Sequence, residues 1–171
     1  MKRMMRTIVV MGMLLEVLSL AACSSKEEEE QGVSEEAQKI IQAIMNCPNS
    51  ELYDSSLAYV IGDDVEEAQV QEEEMKEKRE EIQENWKEEV GDCFAEGALD
   101  TFLDQGMATM YFAEAEQENL TYQVQEIELK EKGEVNETVQ VSLLKGDKEE
   151  TVTLVFTHDS EGFITEVKPA S

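Results

Sequence analysis

Three cysteines and a single histidine carry most of the ready nucleophilic, metal-binding and proton-transfer chemistry in this 171-residue chain. Cys23 follows Leu20-Ala21-Ala22, Cys47 stands directly before Pro48, and Cys93 lies in Gly91-Asp92-Cys93-Phe94. No Cys-x-x-Cys spacing occurs, so a dithiol redox centre is not expected. His158, beside Asp159, reads as a turn residue at a strand end rather than a general base, and no Ser-His-Asp set has positional support. One histidine and scattered cysteines do not make a zinc site. Asp63-Asp64 lacks the alternating ligands and central glycine of a calcium loop, and no glycine-rich loop cradles phosphate. With 40 Asp and Glu residues, any choice of catalytic carboxylate pair is arbitrary. The expectation is no catalytic residue, no metal and no cofactor. Trp86, Tyr111 and Tyr122 are the aromatic residues available to line a pocket, and core packing is the competing role for each.

The residues around Cys23 are patterned. Lys2, Arg3 and Arg6 make a positive start, Ile8 to Leu15 an apolar run, and Val17-Leu18-Ser19-Leu20-Ala21-Ala22 lead to the cysteine. A basic flank, a short apolar segment and small residues at the end describe an export signal, and the run is shorter than the roughly 20 residues that span a bilayer. The small-small-Cys ending resembles the lipobox of bacterial lipoproteins. That resemblance implies cleavage between Ala22 and Cys23, a diacylglyceryl group on the Cys23 thiol, and a fatty acyl group such as palmitate on the new N-terminus. It implies a protein held on the extracytoplasmic face of the cell membrane by lipid on Cys23. Glu16 departs from the pattern, because a carboxylate inside an apolar segment is costly to insert.

Ser24 to Gly32 contains no apolar residue and holds four consecutive glutamates, Glu27 to Glu30. Such a stretch cannot bury enough surface to offset its ordering entropy, so residues 23–32 are expected to form a disordered, self-repelling tether. The chain carries a formal charge of −26. Residues 1–22 contribute three of its cations and one carboxylate, so the remainder is more acidic still. This balance argues against nucleic acid, whose binding depends on Lys and Arg neutralising phosphate. It also opposes approach to an anionic membrane surface, leaving the lipid to supply the attachment.

Residues 33–171 are the length of one domain. Helical periodicity fills the first part, about 34–117. Ala37, Ile40, Ile41 and Ile44 share one face of a first helix, ended before Pro48. A short helix is predicted over 51–60, with Leu52, Leu57 and Val60 inward. Asp64 and Glu67 read as a capping box that opens a long charged helix over 65–90. Its apolar positions are Ala68, Met75, Ile82, Trp86 and Val90, a single narrow stripe, with Glu72–Lys76 and Glu74–Lys78 as weak pairs. Further helical spacing follows through Phe94, Leu99 and Phe102, and again over 107–117. From Leu120 the period changes to two. Tyr122 and Val124 alternate on one parity, Ile127 and Leu129 on the other, which predicts a bulge near Gln125-Glu126. Val139 to Leu143, Val152 to Phe156 and Phe163 to Lys168 complete four strands joined by short turn-rich connectors. The prediction is an α+β fold: helices packed on a four-stranded antiparallel meander over about 120–169.

A helix-rich first half, a bulged meander and the final Gly162-Phe163-Ile164-Thr165-Glu166-Val167 strand resemble small nuclear transport factor 2-like domains. The resemblance implies a cone-like sheet wrapped on helices around an interior pocket, the place where Trp86, Tyr111 and Tyr122 would meet a ligand. With Cys23 given to lipid, an exported chain leaves Cys47 and Cys93 to pair as a disulfide, with two buried thiols as the alternative. The function expected is a membrane-anchored lipoprotein with a small non-catalytic domain that binds an unidentified protein or small molecule. A small pocket enzyme of the nuclear transport factor 2-like type and a divalent-cation-binding surface are the alternatives.

Overall fold

The computed structural model describes residues 32–58 and 65–170. The lipobox-like segment, Cys23, residues 24–31 of the acidic tether, Val60, Asp63 and Asp64 lie outside them. Helices are packed on a four-stranded antiparallel sheet, so the fold is α+β. The order is α1 (Glu35–Met45), α2 (Val65–Val90), α3 (Ala98–Asp104), α4 (Met107–Glu118), then β1 (Tyr122–Lys132), β2 (Asn136–Lys145), β3 (Lys148–His158) and β4 (Ile164–Pro169). The strands lie side by side in chain order, a meander.

Helix α1 forms where its apolar residues recur at helical spacing. Ala37, Ile40, Ile41 and Ile44 are all fully buried, and the Ser34 hydroxyl caps the helix by accepting from the Ala37 N–H at 3.2 Å. It stops where Pro48 follows, and the chain turns at once into the sheet: the Cys47 N–H donates to the Tyr122 carbonyl and the Tyr122 N–H returns to Cys47, at 3.2 and 2.9 Å. The predicted bulge is present, with the β1–β2 register shifting between Val124 and Glu126. The Asn46 side chain accepts from the Val124 N–H at 3.1 Å there, giving a partner to a donor on this edge strand. A second shift falls between Leu129 and Glu131. Two residues, Gly146 and Asp147, join β2 to β3 across the Lys145–Lys148 pair, and Gly146 takes the left-handed φ of 59° that such a tight hairpin requires.

The sheet's inner face is dense. Val139, Val141, Leu154, Phe156 and Ile164 have no exposed surface, and they share one core with the α1 isoleucines, Trp86, Val90 and Phe112. Trp86 meets Phe102 and Phe112 edge-on, at 6.4 and 6.3 Å between ring centroids. At the far edge, Ala95 donates to the Ile164 carbonyl at 2.9 Å and ties the segment after α2 to β4.

Two expectations change. The short helix over 51–60 is instead a turn followed by one 3₁₀ turn, Ser55–Ala58, although Leu52 is buried as predicted. Two apolar positions in so short a segment do not outweigh the local hydrogen bonding of Asn49 and Asp54, whose side chains accept from the N–H two residues on. On α2, Lys78 pairs with Asp54 of that segment and Lys76 with Glu80, rather than with Glu74 and Glu72.

Candidate functional site

The segment 49–57 is a strap laid across the helices, held mainly by side chains rather than by a backbone ladder. Three side chains of α2 donate to its carbonyls: Arg79 to Leu57 at 3.1 Å, Asn85 to Glu51 at 2.9 Å, and the Trp86 indole to Leu52 at 2.9 Å. Lys78 pairs with Asp54, and with the Ser56 hydroxyl and N–H it holds the Asp54 carboxyl down at about 2. From the opposite side, the Ser55 hydroxyl donates to Glu116 at 2.5 Å and the Tyr53 ring stacks on Phe112, 5.8 Å between centroids.

The strap separates two clefts. The larger, about 540 Å³, lies between the strap, α2 and α3; Leu52, Leu57, Ile82, Trp86 and Leu103 form its apolar walls. Its polar residues are Asp54, Arg79, Gln83, Asp100, Asp104 and Thr109, together with the Tyr53 ring. Gln83 donates to Asp100 at 3.2 Å. The second cleft, about 430 Å³, runs between the strap and the end of α4, past Pro48, Phe112, Ala115 and Leu120. Neither contains a cysteine or the histidine. The larger has the make-up of a small-molecule site, a mainly apolar surface with a few placed polar groups.

The three aromatic residues expected to line one pocket are divided. Trp86 borders the larger cleft. Tyr111 and Tyr122 border neither; they meet edge-on in the core, 6.3 Å apart. Burial pushes both phenols up to about 12, so they stay protonated across the physiological range. The Tyr122 hydroxyl has no hydrogen-bond partner of normal geometry, although Glu114 and Lys145 stand beside it and the Lys145 ammonium lies 5.3 Å from its ring centre. The inner face of the sheet is therefore covered by packed side chains, and the two clefts lie beside the strap.

The expected disulfide is not formed. Cys47 and Cys93 are both free and buried. The Cys47 thiol is directed at the Ile44 carbonyl, 3.6 Å away, and Cys93 at the Asp92 carboxylate, 3.5 Å away. Burial pushes both thiols up to about 12, which keeps them in the unreactive protonated form. The Asp92 carboxylate adds to the effect at Cys93.

One polar centre escaped the sequence reading. Glu137 is only 1% exposed, inside the end of the sheet. It accepts from the Ser34 N–H at 3.1 Å and from the Ser34 hydroxyl, and His158 Nε2 faces it at 3.1 Å. His158 Nδ1 faces the Gly162 carbonyl at 3.0 Å. Both ring nitrogens thus face oxygens, and which of them donates depends on the tautomer of the ring. The serine donates to the carboxylate, not to the imidazole, so this is not the order of a nucleophilic triad. The cluster ties the start of α1 to β2 and β3. Its signal was parity: Glu137 continues the inward series Val139, Val141, Leu143, and His158 continues Leu154, Phe156.

No family model matches the chain, and no curated protein or solved structure matches it either. Among the described residues, no group of His, Cys, Asp and Glu is placed to hold a metal ion, and no helix is long and apolar enough to cross a membrane.

Proposed function

We propose that this protein is a lipid-anchored binding module of the extracytoplasmic membrane face. Cys23 carries the lipid, residues 24–32 form the tether, and the α+β domain holds a ligand without transforming it. The order of helices followed by a meander supports the likeness to nuclear transport factor 2-like domains, with binding moved from the filled interior to the clefts beside the strap. The observation that carries the binding reading is the cleft of about 540 Å³ along α2, bordered by a strap that Arg79, Asn85 and Trp86 tie to that helix. Its polar residues include carboxylates, an amide and a guanidinium, but no paired nucleophile and base.

Two measurements test the two halves. Cell fractionation of Cys23→Ala should move the protein from membrane to released or unprocessed fractions; unchanged membrane retention contradicts the anchor. Titration with the neutral apolar dye N-phenyl-1-naphthylamine should show saturable one-to-one binding that Leu103→Asn removes while circular dichroism is unchanged. Absence of saturable binding to the parent protein contradicts the cleft.

A further inference from the structure

Asp100 and Asp104 stand one turn apart on α3, both on the wall of the larger cleft. Two like charges at this spacing repel each other, and Asp104 occupies the last helical residue, where the helix dipole is also negative. Neither has a cationic partner among the described residues: Asp100 accepts only the neutral Gln83 amide. The other carboxylate of the wall, Asp54, already has Lys78, and the one cation of the wall, Arg79, donates to the Leu57 carbonyl. With Asp54 matched by Lys78, the wall sets two α3 carboxylates against the single guanidinium of Arg79. The bond of Arg79 to a neutral carbonyl leaves its charge in place, so the α3 side of the cleft keeps a net negative charge. Asp100 lies in the first turn of α3, where the helix dipole favours a carboxylate, so the cost falls on the repulsion between the pair and on Asp104, and a cation between the two carboxylates relieves both.

We propose that the cleft takes an amphiphilic monocation, a short hydrocarbon body against Leu52, Leu57, Ile82 and Leu103 with an ammonium head between Asp100 and Asp104. This rests on the binding reading above and gives it a ligand class. The volume of about 540 Å³ falls among small-molecule sites. The charge of the chain, −26, steers cations inward and repels anions of the same shape. The apolar walls supply affinity by burial of the alkyl chain, and the carboxylates supply the choice of headgroup.

Trp86 is the only tryptophan, so its fluorescence reports on the cleft directly. The full chain is titrated at low salt with octylammonium, octanol and octanoate, three ligands with one tail. The ammonium should bind with one-to-one saturation and about tenfold more tightly than the carboxylate, with the alcohol between them. Asp100→Asn with Asp104→Asn should bring the ammonium to within about twofold of the alcohol. Glu72→Gln with Glu73→Gln, which removes the same charge from exposed positions of α2, should leave the preference intact. Equal binding of ammonium and alcohol to the parent chain overturns the cation inference and leaves the binding reading standing. Saturation by none of the three overturns both. A preference for octanoate, or an equal loss in the Glu72/Glu73 variant, overturns the Asp100–Asp104 site.

Discussion

The sheet and the strap are stabilised in opposite ways. The sheet closes its inner face with Val139, Val141, Leu154 and Phe156, and secures its open end with the Ser34–Glu137–His158 cluster. The strap has only turn hydrogen bonds of its own and hangs from α2 by side chains that reach its carbonyls. A ladder with a filled face leaves no space to bind anything. A segment suspended at separate points leaves room on both sides, and both clefts border it. Stability concentrates in one region and vacancy in the other, the usual division between a rigid scaffold and the loop it presents.

That contrast can be broken from either side. The largest effect is expected at the sheet end. Glu137→Ala leaves the Ser34 donors and His158 without their carboxylate, and should cost roughly 3 kcal/mol in urea unfolding with little change in dye binding. A loss below the error of the unfolding curve would show that the cluster secures nothing. On the strap side, Trp86→Phe removes the bond to Leu52 and part of a buried ring. It should cost about 2 kcal/mol and, unlike the sheet variant, should weaken cleft binding. Equal binding in the two variants would erase the contrast.

The smallest effect is a pH dependence. Asp54 has a folded value of about 2, below its ordinary 3.8, so its bonds to Lys78 and Ser56 contribute above about pH 4 and are lost as pH falls through about 2. For a half-exposed lysine partner the contribution is at most about 1 kcal/mol. Thermal melts from pH 5 to pH 2 should therefore fall slightly more steeply for the parent chain than for Asp54→Asn, and parallel curves would remove Lys78–Asp54 from the strap's supports.

The sheet was legible in the sequence because period two is a strong signal and turn residues punctuate it. Even the bulge followed from Tyr122 and Val124 changing parity with Ile127 and Leu129. Helix α1 was legible because four buried positions recur on one face. The strap was not, since its shape depends on donors 22 to 34 residues away that no local pattern announces. Asp100 and Asp104 were hidden among 40 acidic residues, and only the position of α3 against the cleft distinguishes them. Glu137 and His158 were readable in principle, through a parity that the turn-like neighbourhood of His158 obscured. The cysteines misled because compartment alone suggested a bridge, whereas each thiol has its own local partner.

The most direct test of the division between scaffold and cleft is amide NMR during an octylammonium titration. The shifts should cluster on the strap over 49–57, on α2 around Ile82 to Trp86, and on α3, with β2 and β3 unmoved. Shifts concentrated on the sheet, or scattered over the acidic surface without saturation, would contradict the account.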